Sequence, residues 1–177
     1  MSLVLKNYTK LTKEQSLDIL NIRNKKEIRE KMTNSEIISK ENHLKWMQSL
    51  SSSQDRYFAI FSDETLLGSL SFVKRDKKVS WGVFFEEGTN ILILSSATYI
   101  FLDFIFTNIS DIIYSEVKIE NSKALSFNKS LGFCLQDEDD DYFYLSQDKK
   151  AWEEHKNSRF IKPIKKYLNT IEYKIEG

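Results

Sequence analysis

The chain has 177 residues, 41% of them hydrophobic and 13% aromatic, which is enough for one sizeable core and too little for two large domains. Its 26 basic side chains balance its 26 acidic ones, so charge gives no reason to expect a nucleic acid or a membrane surface as a partner. Because there is one cysteine, Cys134, and no charged-then-apolar leader, we expect a disulfide-free cytoplasmic protein with small-molecule or protein partners.

The N-terminal part predicts one short strand followed by three helical segments. The strand is "LVLKNYT", and Thr12 followed by Gln15 predicts a capping box that opens a helix through Ile22. A second helical stretch, "KKEIREKM", precedes Ser39, which is expected to cap an amphipathic helix over "KENHLKWMQSL".

The rest of the chain predicts mainly strands, separated by two helices. Aromatic and β-branched residues predict strands at "RYFAIFS", "LLGSLSFVKR" and "VSWGVFF", before a long helix capped by Asn90. A strand "IIYSEVKI", a helix "NSKALSFNKSLGF" ending at Gly132 and a hairpin "FCLQDEDDDYFYLS" follow. This order predicts an α+β domain with a mixed sheet over residues 4–147.

The long helix lies in "EEGTNILILSSATYIFLDFIF" and is apolar on most of its surface. A membrane-spanning helix needs about 20 consecutive apolar residues. Here the run is interrupted by Ser95, Ser96, Thr98 and Asp103. We therefore expect a helix that lies against the sheet and is covered from outside, and no membrane partner.

Two charged segments follow. The acidic run from Asp137 to Asp141 lacks the alternating ligands and central glycine of a calcium loop, so it predicts a solvated hairpin turn and no metal site. Residues 148–175 form a basic amphipathic extension broken at Pro163. Its apolar side chains can pack on the domain itself or on a second subunit, which leaves a homodimer open.

The segment "SEVKIENSKALSFNKSLGF" resembles the GNAT superfamily of acetyl-CoA-dependent N-acetyltransferases, in which a strand E-V-x-x-x-N runs into a helix N-x-x-A-x-x-x-Y-x-x-x-G-F. Asn128 occupies the position of the tyrosine. The resemblance implies the GNAT fold, whose mixed, mostly antiparallel sheet is flanked by helices, and acetyl-CoA as co-substrate. The residues that match the pattern are Glu116, Val117, Asn121, Ala124, Gly132 and Phe133.

The N-terminal half is similar to the GNAT enzymes that acetylate the 4-amino group of UDP-linked amino sugars in pseudaminic acid synthesis. The resemblance implies that Arg23, Asn24, His43 and Trp46 bind the substrate, since a guanidinium can engage two diphosphate oxygens at once. Each residue also has an interpretation without a ligand. Arg23 would be a solvated arginine at a helix end, with Asn24 as the C-cap. His43 would be a surface or half-buried polar residue, and Trp46 would belong to the core or the pocket wall.

Three roles in acetyl transfer follow from the same resemblance. Glu116 is the expected general base, unless it is an ordinary exposed strand residue. Asn128 is expected to donate a hydrogen bond to sulfur, because it cannot supply a proton as a phenol can; Tyr142 and Tyr144 are alternatives. The backbone of Gly82, Val83 and Phe84 is expected to pair with the pantetheine arm and to polarise the acetyl carbonyl.

Residues 88–93 occupy the place of the family's glycine-rich turn, Q/R-x-x-G-x-G/A. Backbone amides at the start of a helix favour a pyrophosphate, but Ile91 and Ile93 add bulk where small residues are expected. The expected contacts of acetyl-CoA are Thr89, Asn90, Ile91, Leu92, Ile93 and Asn121.

Three functions remain open from the sequence. The first is N-acetylation of a small-molecule amine, which the resemblance indicates to be that of a nucleotide-linked sugar. The second is a degenerate GNAT domain that binds or assembles without catalysis. The third, acetylation of a protein N-terminus, shares the E-V-x-x-x-N pattern but not the resemblance in the N-terminal half.

Overall fold

Eight strands form one mixed sheet in the computed structural model, which describes residues 1–177. The strands are β1 (Ser2–Asn7), β2 (Arg56–Ser62), β3 (Thr65–Arg75), β4 (Lys78–Phe85), β5 (Ile112–Lys118), β6 (Cys134–Glu138), β7 (Tyr142–Asp148) and β8 (Glu172–Glu176). Their order is β6-β7-β5-β4-β3-β2-β1-β8. Only the pairs β4–β5 and β1–β8 are parallel, so the predicted mixed, mostly antiparallel α+β fold is confirmed.

The helices flank this sheet. They are α1 (Lys13–Arg23), α2 (Lys26–Arg29), α3 (Lys40–Ser49), α4 (Ile91–Asn108), α5 (Ser122–Ser130), α6 (Lys149–His155) and α7 (Ile161–Leu168). The predicted capping box is present at Thr12 and Gln15, and Ser39 caps α3. The stretch "KKEIREKM" is less helical than predicted, since α2 keeps only four residues of it.

α4 forms the centre of the core, although its length and composition would also suit a membrane span. Half of it is buried inside the fold, with Phe101, Leu102 and Ile105 fully covered. Its one charged residue, Asp103, accepts a hydrogen bond from Trp152 Nε1 at 3.0 Å. The carboxylate also pairs with Lys156 at 2.5 Å, so a polar group inside an apolar helix is satisfied by the C-terminal part of the chain.

The C-terminal extension is part of the same core. Trp152, Ile161, Ile164 and Leu168 are buried in one cluster with α4 and the sheet. β8 then adds a parallel strand beside β1, in register from Ser2–Glu172 to Lys6–Glu176. The folded unit therefore extends beyond residues 4–147 at both ends.

A gap between β4 and β5 shapes the cleft of the protein. The two strands pair only at Val79–Ile113 and Ser80–Tyr114. Beyond Ser80, β4 has a partner on its β3 side only. The backbone edge of β4 that faces β5 is consequently open to a ligand along residues 81–85.

We predict that Trp152→Ala lowers the free energy of unfolding by about 3–5 kcal/mol. The side chain is 0% exposed and stacks on Phe106 with a centroid distance of 5.7 Å. Urea denaturation measures the change, with Trp46→Ala as the matched control, because Trp46 is 36% exposed and should cost about 1–2 kcal/mol. Equal losses for the two variants would contradict a core role of the extension.

Candidate active site

Two adjoining cavities fill the gap between β4 and β5. The first has a volume of about 450 Å³ and is bounded by β3, β4, β5 and α5; the second, of about 350 Å³, continues towards the start of α4. The residues that line both are Lys31, Met32, Val83, Asn121 and Ala124. Lys31 and Met32 follow α2 and carry no sequence pattern that marks them as site residues.

The segment that contains α2 is held across the cleft by two contacts. Lys118 Nζ on β5 donates a hydrogen bond to the carbonyl oxygen of Glu30 at 2.8 Å. On the other side Lys25 pairs with Glu86 at the end of β4, and this hydrogen bond raises the pKa of Lys25. The segment therefore covers the cleft from one face and contributes to both cavities.

Glu116 lies in the wall of the first cavity. It is exposed, and its carboxylate has no hydrogen-bond or ion-pair partner within the protein. In the sheet it stands directly opposite Tyr144 on β7, so the two side chains share a face. A free carboxylate at the edge of a cleft can accept a proton from a bound amine, directly or through water.

Tyr144 is already engaged in the β6–β7 hairpin. Its hydroxyl donates to Asp139 Oδ2 at 2.7 Å, and this bond raises the pKa of Tyr144 to about 12. Asp139 also accepts from the amides of Asp141 and Tyr142, which together with Tyr144 lower the pKa of Asp139. The acidic run thus organises its own turn, and the phenol proton is held by Asp139 rather than free for a leaving group.

Asn128 lies on α5 and lines the first cavity. It is 4% exposed, and its Nδ2 donates to the carbonyl oxygen of Ala124 at 2.9 Å. Its Oδ1 is buried without a partner. The atom that Asn128 leaves without any partner is therefore an acceptor, while the second hydrogen of Nδ2 is still available as a donor.

The turn before α4 keeps free amides but loses space at one position. Asn90 Oδ1 accepts from the amide of Leu92 at 2.8 Å, whereas the amides of Ile91 and Ile93 have no acceptor within the protein. Ile91 is 64% exposed and lines the second cavity. Ile93 is half-buried and packs against the core, so of the two isoleucines Ile91 is the one that borders the cavity.

Arg23 has a half-satisfied guanidinium beside a second arginine. Its Nη2 donates to the carbonyl of Asn34, and Arg29 Nη1 donates to that of Ser35 at 2.8 Å. Arg23 Nη1 is buried without a partner. Burial, and then repulsion by Arg29, lower the pKa of Arg23.

The other three predicted substrate residues have partners inside the protein. Asn24 makes two hydrogen bonds to the backbone of Ile38. Its Nδ2 donates to the carbonyl oxygen at 2.8 Å, and its Oδ1 accepts from the amide at 2.9 Å. His43 is buried, and its Nε2 lies 2.9 Å from the carbonyl oxygen of Ser16. Trp46 contacts Tyr57 edge-on at 4.8 Å. Neither these residues nor Arg23 line the two cavities.

Comparisons with known proteins identify similar chains, although no protein-family profile matches. The chain is 26% identical over 147 residues to acetyltransferase PseH of Campylobacter jejuni, covering 80% of this chain and 90% of that protein. The structure of C. jejuni N-acetyltransferase PseH in complex with acetyl coenzyme A has a TM-score of 0.66 at 24% identity, covering 82% of this chain and 98% of that one.

Two further structures are similar in fold. FdhC, described as a nucleotide-linked sugar GNAT, has a TM-score of 0.70 at 19% identity over 87% of this chain and 89% of that one. The spermidine N-acetyltransferase of Vibrio cholerae, in complex with CoA and spermine, has a TM-score of 0.74 at 16% identity, over 85% and 98%.

We predict that folding stability falls as the pH drops below about 6.5, in part through His43. Burial lowers the pKa of His43 from its ordinary 6.5, and a carbonyl can only accept, so neutral Nε2–H is the donor to Ser16. As the pH falls, the unfolded chain therefore binds a proton before the folded one does. Urea unfolding from about pH 7.5 to 5.5 measures the slope, which should be shallower in His43→Gln; an unchanged slope would contradict this role.

Proposed function

We propose that the chain is an N-acetyltransferase of the GNAT superfamily that transfers the acetyl group of acetyl-CoA to the amine of a nucleotide-linked amino sugar. The similarity to PseH and the GNAT fold support the enzyme class and the co-substrate. The choice of acceptor rests on the charge of the first cavity, as follows.

The cleft fits the co-substrate in outline. The open edge of β4 offers backbone groups of Gly82, Val83 and Phe84 to an extended pantetheine arm. Phosphates would lie at the free amides of α4, with Lys31 and Lys123 at the second cavity adding positive charge. Acetyl-CoA supplies the activated acetyl group, and the protein positions it at the gap.

The first cavity favours an anionic acceptor over a polycation. Lys31, Arg75 and Lys118 line it, and Glu116 is its only acidic side chain. Arg75 is neutralised by Asp55 at 2.8 Å, but Lys31 and Lys118 have no carboxylate partner. A polyamine would bring further positive charge into this wall, whereas a diphosphate would complement it.

Two residues outside the cavities extend this argument. The unpaired Nη1 of Arg23 is a donor suited to a phosphate oxygen, provided that the side chain turns from the loop towards the cleft. The exposed face of Trp46 offers a surface on which a base can stack. Asn24 and His43 would support these residues by fixing the loop and the two helices that carry them.

Glu116 would act as the general base. The amine nitrogen attacks the acetyl carbon, its proton passes to the carboxylate or to a water held there, and the carbon–sulfur bond breaks with its electron pair on sulfur.

We predict that Glu116→Gln lowers kcat about 100-fold or more at neutral pH with acetyl-CoA affinity unchanged. The rate should recover at high pH as the amine deprotonates; an unchanged rate at neutral pH would remove Glu116 from the mechanism.

The acceptor is tested by comparing kcat/KM for a UDP-linked 4-amino sugar, spermidine and a peptide with a free N-terminus, each with acetyl-CoA. We expect the sugar nucleotide to be preferred. Preference for spermidine would contradict the charge argument, and failure of acetyl-CoA to raise the melting temperature would contradict co-substrate binding itself, since a ligand of the native state must stabilise it.

We predict that Ile91→Ala tightens acetyl-CoA binding by about 1 kcal/mol, as expected if one hydrogen bond from the turn to a phosphate is recovered. Ile91 is exposed at the second cavity, so the substitution should cost little stability. The matched control is Ile93→Ala, which should lower the melting temperature without tightening binding, because Ile93 packs on the core. Calorimetric titration measures both; no gain with Ile91→Ala would show that this side chain does not obstruct the phosphates.

A further inference from the structure

The outer edge of β8 is an open edge of the sheet. β8 is the last strand in the sheet order and pairs with β1 alone. The amide of Glu172 donates to the carbonyl oxygen of Met1 at 3.3 Å, so the backbone groups of Glu172 point towards β1. Because the backbone groups of successive residues in a strand point to opposite sides, those of Tyr173 and Ile175 point away from the sheet. These donors and acceptors are free to pair with a further strand.

Apolar side chains lie along the same edge. Tyr173 and Ile175 pair in register with Leu3 and Leu5 of β1, which are buried, so all four lie on the face that packs against α4. Tyr173 is nevertheless 51% exposed. A groove of about 280 Å³ runs between β8 and α4, and its apolar lining residues are Tyr99, Ile100, Phe104, Tyr173 and Ile175. The core therefore has an uncovered apolar margin at this edge.

The other face of β8 carries alternating charges, Glu172, Lys174 and Glu176. In an antiparallel pair of identical strands, the residue at the two-fold axis determines which charges face each other. With Tyr173 at the axis, Glu172 of each copy faces Lys174 of the other copy. With Lys174 at the axis, lysine would face lysine and Glu172 would face Glu176. The charge pattern therefore favours the first register over the second.

A register centred on Ile175 would also bring opposite charges together, since Lys174 would face Glu176. It would place Tyr173 opposite Gly177, however, and leave the exposed ring without a facing side chain. With Tyr173 at the axis, the two rings face each other and Ile175 faces Ile171 of the second copy. Cross-strand aromatic and β-branched pairs stabilise a sheet, so this register matches both faces of the strand.

We propose that two copies of the chain associate antiparallel along β8, about a two-fold axis at Tyr173, so that their sheets become continuous. The two Tyr173 residues exchange both of their backbone hydrogen bonds, and the interface uses the same surface on each copy. The strand at the opposite edge, β6, carries Asp137 and Glu138 but no cation, so it lacks this self-complementary pattern. Because the contact is one strand wide, we expect a weak dimer that forms at high protein concentration.

The charge pairs are tested by analytical ultracentrifugation of the wild-type protein and three variants over a range of concentrations. Lys174→Glu turns two attractive pairs into two repulsive ones, so we expect the dissociation constant to rise about tenfold or more. The exchange of the two charges, Glu172→Lys with Lys174→Glu, should restore the dimer. Glu176→Gln is the matched control: it removes the 2.6 Å pair that Lys174 makes within its own chain, and it should leave the dimer intact.

A cross-linking experiment tests the axis independently of charge. Cys134, the one native cysteine, is first replaced by serine. In that background Tyr173→Cys should form a disulfide-linked dimer on mild oxidation, because directly opposite residues of a hydrogen-bonded pair have Cα atoms about 5.5 Å apart. The control is Leu135→Cys, since Leu135 is 41% exposed but lies on β6 and should cross-link no faster than chance collision allows.

Four outcomes would overturn the proposal. A wild-type protein that stays monomeric at every concentration, or a Lys174→Glu variant that dimerises as well as the wild type, would exclude pairing along β8. Loss of the dimer in Glu176→Gln without rescue by the charge exchange would move the axis to Ile175. Cross-linking through Leu135→Cys alone would move the interface to β6. Circular dichroism checks that each variant is folded, and the cysteine variants decide the question if Lys174→Glu is not.

Discussion

The loss of pairing between β4 and β5 is the constraint on which the rest of the structure depends. A sheet interrupted after two residue pairs leaves backbone donors and acceptors unmatched in the middle of the fold. The protein covers this opening with the segment around α2 and lines it with α5. Lys118 and Lys25 hold that cover from the two sides, through Glu30 and Glu86. The unmatched backbone edge of β4 inside the cleft is therefore available to a ligand.

Several polar side chains in this protein find their hydrogen-bond partners within the chain. His43 meets Ser16, Asn24 brackets Ile38, and Tyr144 meets Asp139. Five buried side-chain atoms have no partner: Arg23 Nη1, Trp81 Nε1, Ser96 Oγ, Asn128 Oδ1 and Gln147 Oε1. Because an unsatisfied buried polar atom costs about 1–3 kcal/mol, the unpaired atoms oppose folding, whereas the paired groups stabilise the fold.

The C-terminal extension supports the site from behind. Its Trp152 and Lys156 satisfy Asp103 in the middle of α4, the helix whose first turn faces the second cavity. Its His155 lies 2.8 Å from the carbonyl oxygen of Ser130 at the end of α5, the helix that carries Asn128. Both helices that border the cleft are thus tied to the extension, which explains why it belongs to the core although it lies outside the family resemblance.

Local signals in the sequence determined the elements and the class of fold. The capping box at Thr12 and the caps at Ser39 and Asn90 depend on neighbouring residues alone, so they could be predicted and are present. The strands followed from alternating aromatic and β-branched residues, and the matched motif from Glu116 to Phe133 placed the cleft on β5 and α5.

Only the tertiary structure decided which side chains are free to act. Ile91 and Ile93 look alike in sequence, but they point to different sides of the helix, so Ile91 is exposed at the cavity and Ile93 packs half-buried against the core. Asn24 and His43 are engaged by Ile38 and Ser16, partners 14 and 27 residues away. Trp81 is an ordinary strand aromatic in the sequence, and only the structure shows that its Nε1–H is buried without a partner. The sequence by itself determined the helices and strands, because capping and side-chain alternation depend on neighbouring residues. Long-range packing decided which polar groups remain unsatisfied, because their partners come from distant parts of the chain.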